Sequence, residues 1–312
     1  NRTHVFKICL LQVWVMTANI LVFLAGVLGN LLVILVVLCV REMKTATNLC
    51  LMNLSVADLL VLLICQPSAL LEFVCHEKWL LGDAMCKLTT FLENLVTVAS
   101  ILIILTVSLE RFWAVYYPLR THTSGSKSKA GLTMAVVWIT SAAVTSPLLA
   151  MSYTEQQLHN IDNEMVDVCV TPAPYVWHKF YIVARFVLIF AIPMILLAFL
   201  YIMIIHKITS ETMECKQMTE SAKSQSQQNR RQLVVMLVGI IILFFVCLLP
   251  FRILAFWLVF AAPERVVDSL GFEPFLNLLY FCRLLIYVNS AGNPIIYNIV
   301  STKFRRAFQR VL

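Results

Sequence analysis

Charge is what this sequence has least of. Asp, Glu, Lys and Arg together make up 13% of its 312 residues, against about 25% in a typical soluble domain. Hydrophobic residues make up 60%, more than one core can bury, so the surplus must face lipid. That excludes an ordinary water-soluble fold. Internal repeats are also missing, which argues against a secondary transporter built from two related halves. No Ser/His/Asp set and no metal-ligating cluster is present, and the six His are dispersed. Enzymatic chemistry therefore has no support. Polar sequence is scarce as well: residues 209–229 form the only long stretch of low hydrophobicity, and they read as a flexible loop between helix extensions.

What is there is seven apolar runs, roughly 12–39, 48–75, 84–116, 130–151, 176–207, 231–260 and 271–299. Each exceeds the ~20 residues a helix needs to cross the hydrocarbon. The expected architecture is one domain, 1–312, an all-α membrane bundle of seven spans, with span 1 serving as its own insertion signal. The loops after spans 1, 3 and 5, together with the tail, hold fourteen Lys and Arg, and the opposite loops hold six. This bias places the tail in the cytoplasm and the N-terminus outside. It also accounts for the net charge of +7, leaving no case for nucleic-acid binding. Asn1-Arg2-Thr3 is a glycosylation sequon that has meaning only in that orientation.

The outer loops carry acids, among them Glu72, Glu77, Asp83, Glu155 and Asp167. A negative rim would concentrate cationic ligands; plain solvated surface is the alternative. Cys86 and Cys169 both face an oxidising compartment, so a disulfide between them is expected, tethering the 152–175 loop across the bundle. Cys9 and Cys75 are a second candidate pair. After span 7, residues 301–311 place Phe304, Phe308 and Val311 on one stripe and Lys303, Arg305, Arg306 and Arg310 off it. This predicts a short amphipathic helix on the inner leaflet, with its cations toward anionic headgroups.

Several polar residues lie where hydrocarbon should reject them, and such residues mark function by default. Asp58 is a carboxylate at mid-membrane depth that needs a cation, a proton or donors. Ser100, Asn289, Ser290 and Asn293 can supply oxygens or donors around it. Arg111 ends span 3 beside Glu110, which can hold it as an ion pair. Pro193, Pro250 and Pro294 each remove a helical hydrogen bond and are candidate hinges. Helical spacing turns Glu93, Arg185, Arg252 and Arg283 inward, with Asn94 and Tyr287 beside them. Three Arg and one Glu in a membrane cavity need mutual pairing or a polar ligand. Paired guanidiniums suit carbonyl oxygens, a carboxylate or an amidated peptide end.

Taken in order, Asn30, Leu54-Ser55-Val56-Ala57-Asp58, Glu110-Arg111-Phe112, Trp138, Pro193 with Tyr201, Phe244 with Cys247-Leu248-Leu249-Pro250, and Asn293-Pro294-Ile295-Ile296-Tyr297 resemble a rhodopsin-type (class A) G-protein-coupled receptor. The resemblance covers all seven spans. It implies a plasma-membrane receptor without a cofactor, with Na⁺ as an allosteric ion on Asp58, Ser100, Asn289, Ser290 and Asn293. It implies that Arg111 swings free to meet a heterotrimeric G protein while Tyr201 and Tyr297 restructure. Ile101, Pro193 and Phe244 would repack as span 6 moves outward. Arrestin and membrane lipid are further implied partners.

One departure and two absences narrow the resemblance. Leu248 replaces the family's usual Trp, which leaves open how a ligand signal reaches Phe244. No acid stands near the start of span 6. Span 7 has no Lys, which excludes a retinal Schiff base. Leu249-Pro250-Phe251-Arg252 and the run Phe281–Ala291 resemble the thyrotropin-releasing-hormone receptor branch. Cys86-Lys87-Leu88 and Val107–Phe112 resemble the growth-hormone-secretagogue and neuromedin receptors. That likeness implies an extracellular neuropeptide ligand, with a short C-terminally amidated peptide among the candidates, and Gq coupling. A receptor for a small amine or lipid is the alternative.

Overall fold

The computed structural model describes the backbone of residues 2–117, 127–158, 164–215, 222–261 and 269–311. The sequon at Asn1, the Cys9 side chain and residues 216–221 of the expected loop lie outside the described residues. Among the described residues, seven helices are long and apolar enough to cross a membrane: Val13–Cys39, Ala46–Val74, Gly82–Tyr116, Lys129–Met151, Val176–Ser210, Arg231–Ala261 and Pro274–Val300. Their ends fall within about three residues of those read from the apolar runs. These are spans 1 to 7. Helix continues beyond spans 5 and 6 to Cys215 and from Ala222, as the helix-extension reading expected.

Span 3 is the central post. Some 61% of its most apolar window is buried, against 28% for span 1. The peripheral spans instead turn Leu28, Leu132, Ile139 and Ile202 outward, each about two-thirds exposed, which is the lipid-facing apolar surface that the composition requires. Local sequence sets the entries. Thr45 caps span 2 by accepting from the Asn48 N–H at 3.2 Å. Gly82 opens span 3 at φ 74°, a backbone conformation that residues with a Cβ rarely adopt. Spans 6 and 7 meet at Gly292, where a Cβ would come within 2.4 Å of the Leu243 side chain.

Hydropathy does not reveal two backbone features. Span 2 is widened by a π-turn at Val61–Cys65, just before Pro67, and span 5 by one at Phe186–Ala191, just before Pro193. Each π-turn ends two residues before its proline, and the helix re-phases there instead of merely kinking. Pro250 and Pro294 lie inside continuous helices.

The expected loop between spans 4 and 5 contains a hairpin, an exception to the all-α reading. Strand β1 (Tyr153–Leu158) pairs antiparallel with β2 (Met165–Val170), Tyr153 opposite Val170. Cys169 in β2 is bonded to Cys86 at the head of span 3. Two more ties hold the hairpin down: Thr154 N–H donates to Asp83 Oδ1 at 2.9 Å, and Trp79 N–H donates to the Asp167 carbonyl at 2.7 Å. Cys75 is a free thiol, so it is not half of a second bridge.

At the opposite end, the helix Thr302–Val311 follows span 7. Its apolar stripe packs inward. Phe304 and Phe308 are buried in the bundle core, and the Phe304 ring sits 5.2 Å from that of Tyr297. Arg305 turns back to donate to the Asn298 and Ile299 carbonyls at 3.2 and 2.7 Å, capping the end of span 7. The bundle thus has a hairpin half and a tail half.

Candidate functional site

In the hairpin half the inward-facing charges divide into two groups. Arg283 of span 7 makes a 2.6 Å ion pair with Glu72 of span 2, whose side chain is 11% exposed. Glu72 therefore does not belong to a solvated rim: a carboxylate so far from water is held by the guanidinium facing it. Two other rim acids have structural partners. Glu77 accepts from the Tyr280 hydroxyl at 3.2 Å, and Asp83 pairs with Lys87. Glu93 of span 3 accepts the Tyr287 hydroxyl at 3.1 Å; the same hydroxyl lies 3.5 Å from the Cys65 carbonyl in the span 2 π-turn.

The second group has no acid in contact. Arg185 of span 5 and Arg252 of span 6 both donate to one oxygen, Asn94 Oδ1 of span 3, at 2.7 and 3.3 Å. Asn94 is locked in that orientation because its Nδ2 donates to the Thr90 carbonyl at 2.8 Å. Arg185 also stacks over the Tyr181 ring, 5.5 Å from its centroid. Among the described residues neither guanidinium meets a carboxylate. Both line a recess of about 460 Å³ whose other walls are mostly apolar, including Ile182, Phe186, Phe190 and Phe256. A smaller recess of about 290 Å³ adjoins it at Asn94, Thr97 and Arg252 and adds Glu93, Leu248 and Phe251. The π-turn begins directly after Arg185, and it brings Phe186 and Phe190 onto the same wall.

Leu248 is buried and lines the smaller recess, so its chain position is in the expected place but carries no ring. Rings lie alongside instead. Phe260, Phe256, Phe186 and Phe190 follow one another at centroid separations of 5.9, 4.7 and 5.5 Å; Phe190 then meets Phe245 at 5.1 Å and Phe244 at 6.4 Å. The recess thus touches Phe244 through Phe190. Ile101, Pro193 and Phe244 are all buried, and Ile101 also lines the recess.

At mid-depth, Asp58 is 1% exposed. Asn293 Nδ2 donates to its Oδ2 at 2.9 Å, and the Ser290 hydroxyl faces it. Asp58 Oδ1, Asn293 Oδ1 and the Ser55 hydroxyl are buried without a protein partner. Ser100, Asn289 and Ser290 are buried too. One carboxylate with neutral oxygens around it is a hard donor set, suited to Na⁺ or water rather than to a transition metal. Asn30 ties span 1 in by donating to the Ser290 carbonyl at 3.0 Å.

In the tail half, Arg111 and Glu110 attract each other but make no direct salt bridge. Arg111 Nε is buried without a partner, and Glu110 faces Thr47 of span 2. Successive helix residues diverge by about 100°, so adjacency in sequence is not adjacency in space. Tyr201 shares a 3.2 Å hydrogen bond with Ser108, which joins span 5 to span 3. Tyr297 is fully buried, and its hydroxyl has no partner. Trp138 reaches Asn53 at 3.4 Å, linking spans 4 and 2.

Sequence reasoning missed Glu72 and the phenylalanine wall. The i, i+4 spacing of Phe186 with Phe190 and of Phe256 with Phe260 was the available signal for the wall. Nothing local marks Glu72 as the partner of Arg283.

Residues 29–297 match the family model of the 7 transmembrane receptor (rhodopsin family). Among curated relatives, a QRFP-like peptide receptor of Branchiostoma floridae is 31% identical over 297 residues, covering 94% of this chain and 76% of that protein. Growth hormone secretagogue receptor type 1 of Sus scrofa is 31% identical, covering 93% and 78%. Neuromedin-U receptor 2 of Mus musculus is 32% identical, covering 94% and 73%. The last two belong to branches that the sequence motifs had pointed to.

Proposed function

This chain belongs to the rhodopsin family of seven-transmembrane receptors, which signal and are not enzymes, and on that premise we propose that its ligand is an extracellular neuropeptide. The observation that carries this reading is the convergence of Arg185 and Arg252 on Asn94 in a recess with apolar walls. Apolar walls with a few fixed polar groups make a ligand pocket. The named relatives are peptide receptors, and the match spans about three quarters of each of them.

In finer detail, the peptide is short and C-terminally amidated. A carboxamide offers both an N–H and a carbonyl, and the smaller recess presents Glu93 as acceptor and Arg252 as donor. The N-terminus is extracellular and the tail cytoplasmic, a reading that the excess of Lys and Arg in the tail-side loops supports. Ligand contact with Phe190 and Ile101 repacks Phe244 and moves span 6 outward, and Arg111 and Tyr201 then meet a Gq-type G protein. Na⁺ binds Asp58 in the resting state, with Asn293, Ser290, Ser100 and Asn289 around it, and holds the unpartnered oxygens. Arrestin and the inner leaflet are further partners of the tail half. An amine ligand fits less well, because the one acid of the pocket is already engaged by Tyr287 while two arginines line the larger recess.

The test is calcium release and nucleotide exchange in cells expressing this chain, screened against amidated neuropeptides. An active peptide should lose potency by about 10- to 100-fold in Arg252→Gln, the loss of one charge-assisted hydrogen bond. Activation by an amine with full dependence on Glu93 and none on Arg252 would sink the peptide reading.

A further inference from the structure

Two cations facing one neutral acceptor make an unbalanced site. Arg185 and Arg252 both donate to Asn94 Oδ1, at 2.7 and 3.3 Å. A neutral oxygen satisfies some hydrogen-bonding capacity but offsets neither charge. Each guanidinium has five N–H groups in a planar fork, so donors remain to be used. The recess is walled by Ile182, Phe186, Phe190 and Phe256, a setting in which like charges are weakly screened. Elsewhere in the same half the protein balances its charges: Arg283 has Glu72. Glu93 shares the adjoining recess with Arg252 and is bonded to Tyr287, so it offsets part of the Arg252 charge without touching it and leaves two cations facing one acid. The imbalance is therefore local to the recess between spans 3, 5 and 6, and an arriving anion removes it.

We propose that this larger recess binds a carboxylate carried on an apolar body, both arginines donating to it while its hydrocarbon packs on the phenylalanine wall. The proposal deepens the peptide reading and rests on it for the source of the group: an acidic side chain near an amidated end, or a free C-terminal carboxyl. A carboxylate accepts two parallel N–H bonds from each planar fork at close to ideal geometry, and such charge-assisted bonds are about twice as strong as neutral ones. A carboxamide in the same place leaves the two cations facing one acid. The second recess keeps its own role, because Glu93 there suits an N–H donor and repels an acid.

The experiment uses the whole receptor in lipid nanodiscs and three probes: N-acetylphenylalanine, N-acetylphenylalaninamide and N-acetylglutamylphenylalaninamide. Thermal unfolding at neutral pH, titrated into the millimolar range, reads affinity by mass action. At least one of the two carboxylates should bind about tenfold or more tightly than the neutral amide. Which one does so identifies the source. Arg185→Gln should abolish that preference and raise the unfolding temperature of the ligand-free receptor, since it removes a repulsion. The exposed Arg310→Gln should leave the preference intact.

Equal or tighter binding of the neutral amide overturns the proposal, as does the absence of stabilisation by every carboxylate or a preference that survives Arg185→Gln. Should that variant fail to fold, the wild-type comparison of carboxylate with amide decides alone. Nucleotide exchange separates the two readings. A carboxylate preference in a receptor that no peptide activates sinks the peptide reading only. Activation by neutral amidated peptides without any carboxylate preference sinks this proposal only.

Discussion

Among the described residues, the inward-facing charged side chains of the hairpin half all have hydrogen-bond partners, and Gln66 Oε1 and His178 Nδ1 are its two buried polar atoms without one; the tail half and mid-depth hold six. Glu72 has Arg283, Glu93 has Tyr287, Glu77 has Tyr280, and both remaining arginines have Asn94. Toward the tail, Arg111 Nε, the Tyr297 hydroxyl, Asp58 Oδ1, Asn293 Oδ1, Asn30 Oδ1 and the Ser55 hydroxyl are buried without a protein partner. Each such atom costs about 1–3 kcal/mol if left dry. The difference separates a recognition end, which holds its shape while waiting, from a switching end. In the switching end water, an ion or a rearrangement can recover energy that the resting packing leaves unused. A protein with two arrangements of similar free energy responds to a ligand that favours one of them.

The largest effect expected is on the partnered side. Arg283→Ala leaves a nearly buried carboxylate on Glu72 and should destabilise the receptor by about 3 kcal/mol, read by thermal unfolding in nanodiscs. Glu72→Ala in the same chain should restore part of that loss. If the single and double variants unfold alike, the pair is not a unit and the hairpin half is not held as described. A smaller effect of opposite sign is expected on the other side. Tyr297→Phe removes an unpartnered hydroxyl and should stabilise the resting receptor by about 1 kcal/mol while lowering basal nucleotide exchange. A fall in stability would mean that ordered water already satisfies that hydroxyl, and the contrast between the halves would weaken. Smallest is the ion effect. With Na⁺ a few-fold above its Kd, sodium chloride in place of choline chloride should raise stability by about 1 kcal/mol or less, and Asp58→Asn should be indifferent to the exchange.

The spans, their ends and the buried track were legible in the sequence because hydrocarbon imposes a simple rule on each residue separately. Asp58, Asn293 and Tyr297 stood out as exceptions to that rule, and Cys86 and Cys169 by their compartment. Features that depend on pairing across helices were not legible. Glu72 looked like rim because its partner lies 211 residues away. The tail helix showed an amphipathic stripe, yet the stripe cannot say whether it meets lipid or the core, since both are apolar. Strand β2, Met165-Val166-Asp167-Val168-Cys169-Val170, did carry a readable β-branched run, but Pro172 and Pro174 directly after it mark the segment as loop. The π-turns left no mark in hydropathy, because one extra residue in a turn changes direction and not composition.

That last feature bears on how such a receptor could change its ligand. Loss of one residue between Phe186 and Ala191 would return span 5 to regular helix and rotate Arg185 by about 100° relative to the rest of the bundle. The guanidinium would leave the recess and a neighbour would take its place, with no side chain substituted. A one-codon deletion would then act as a selectivity dial. Receptors compared column by column across this turn would show matching letters at positions that face different molecules.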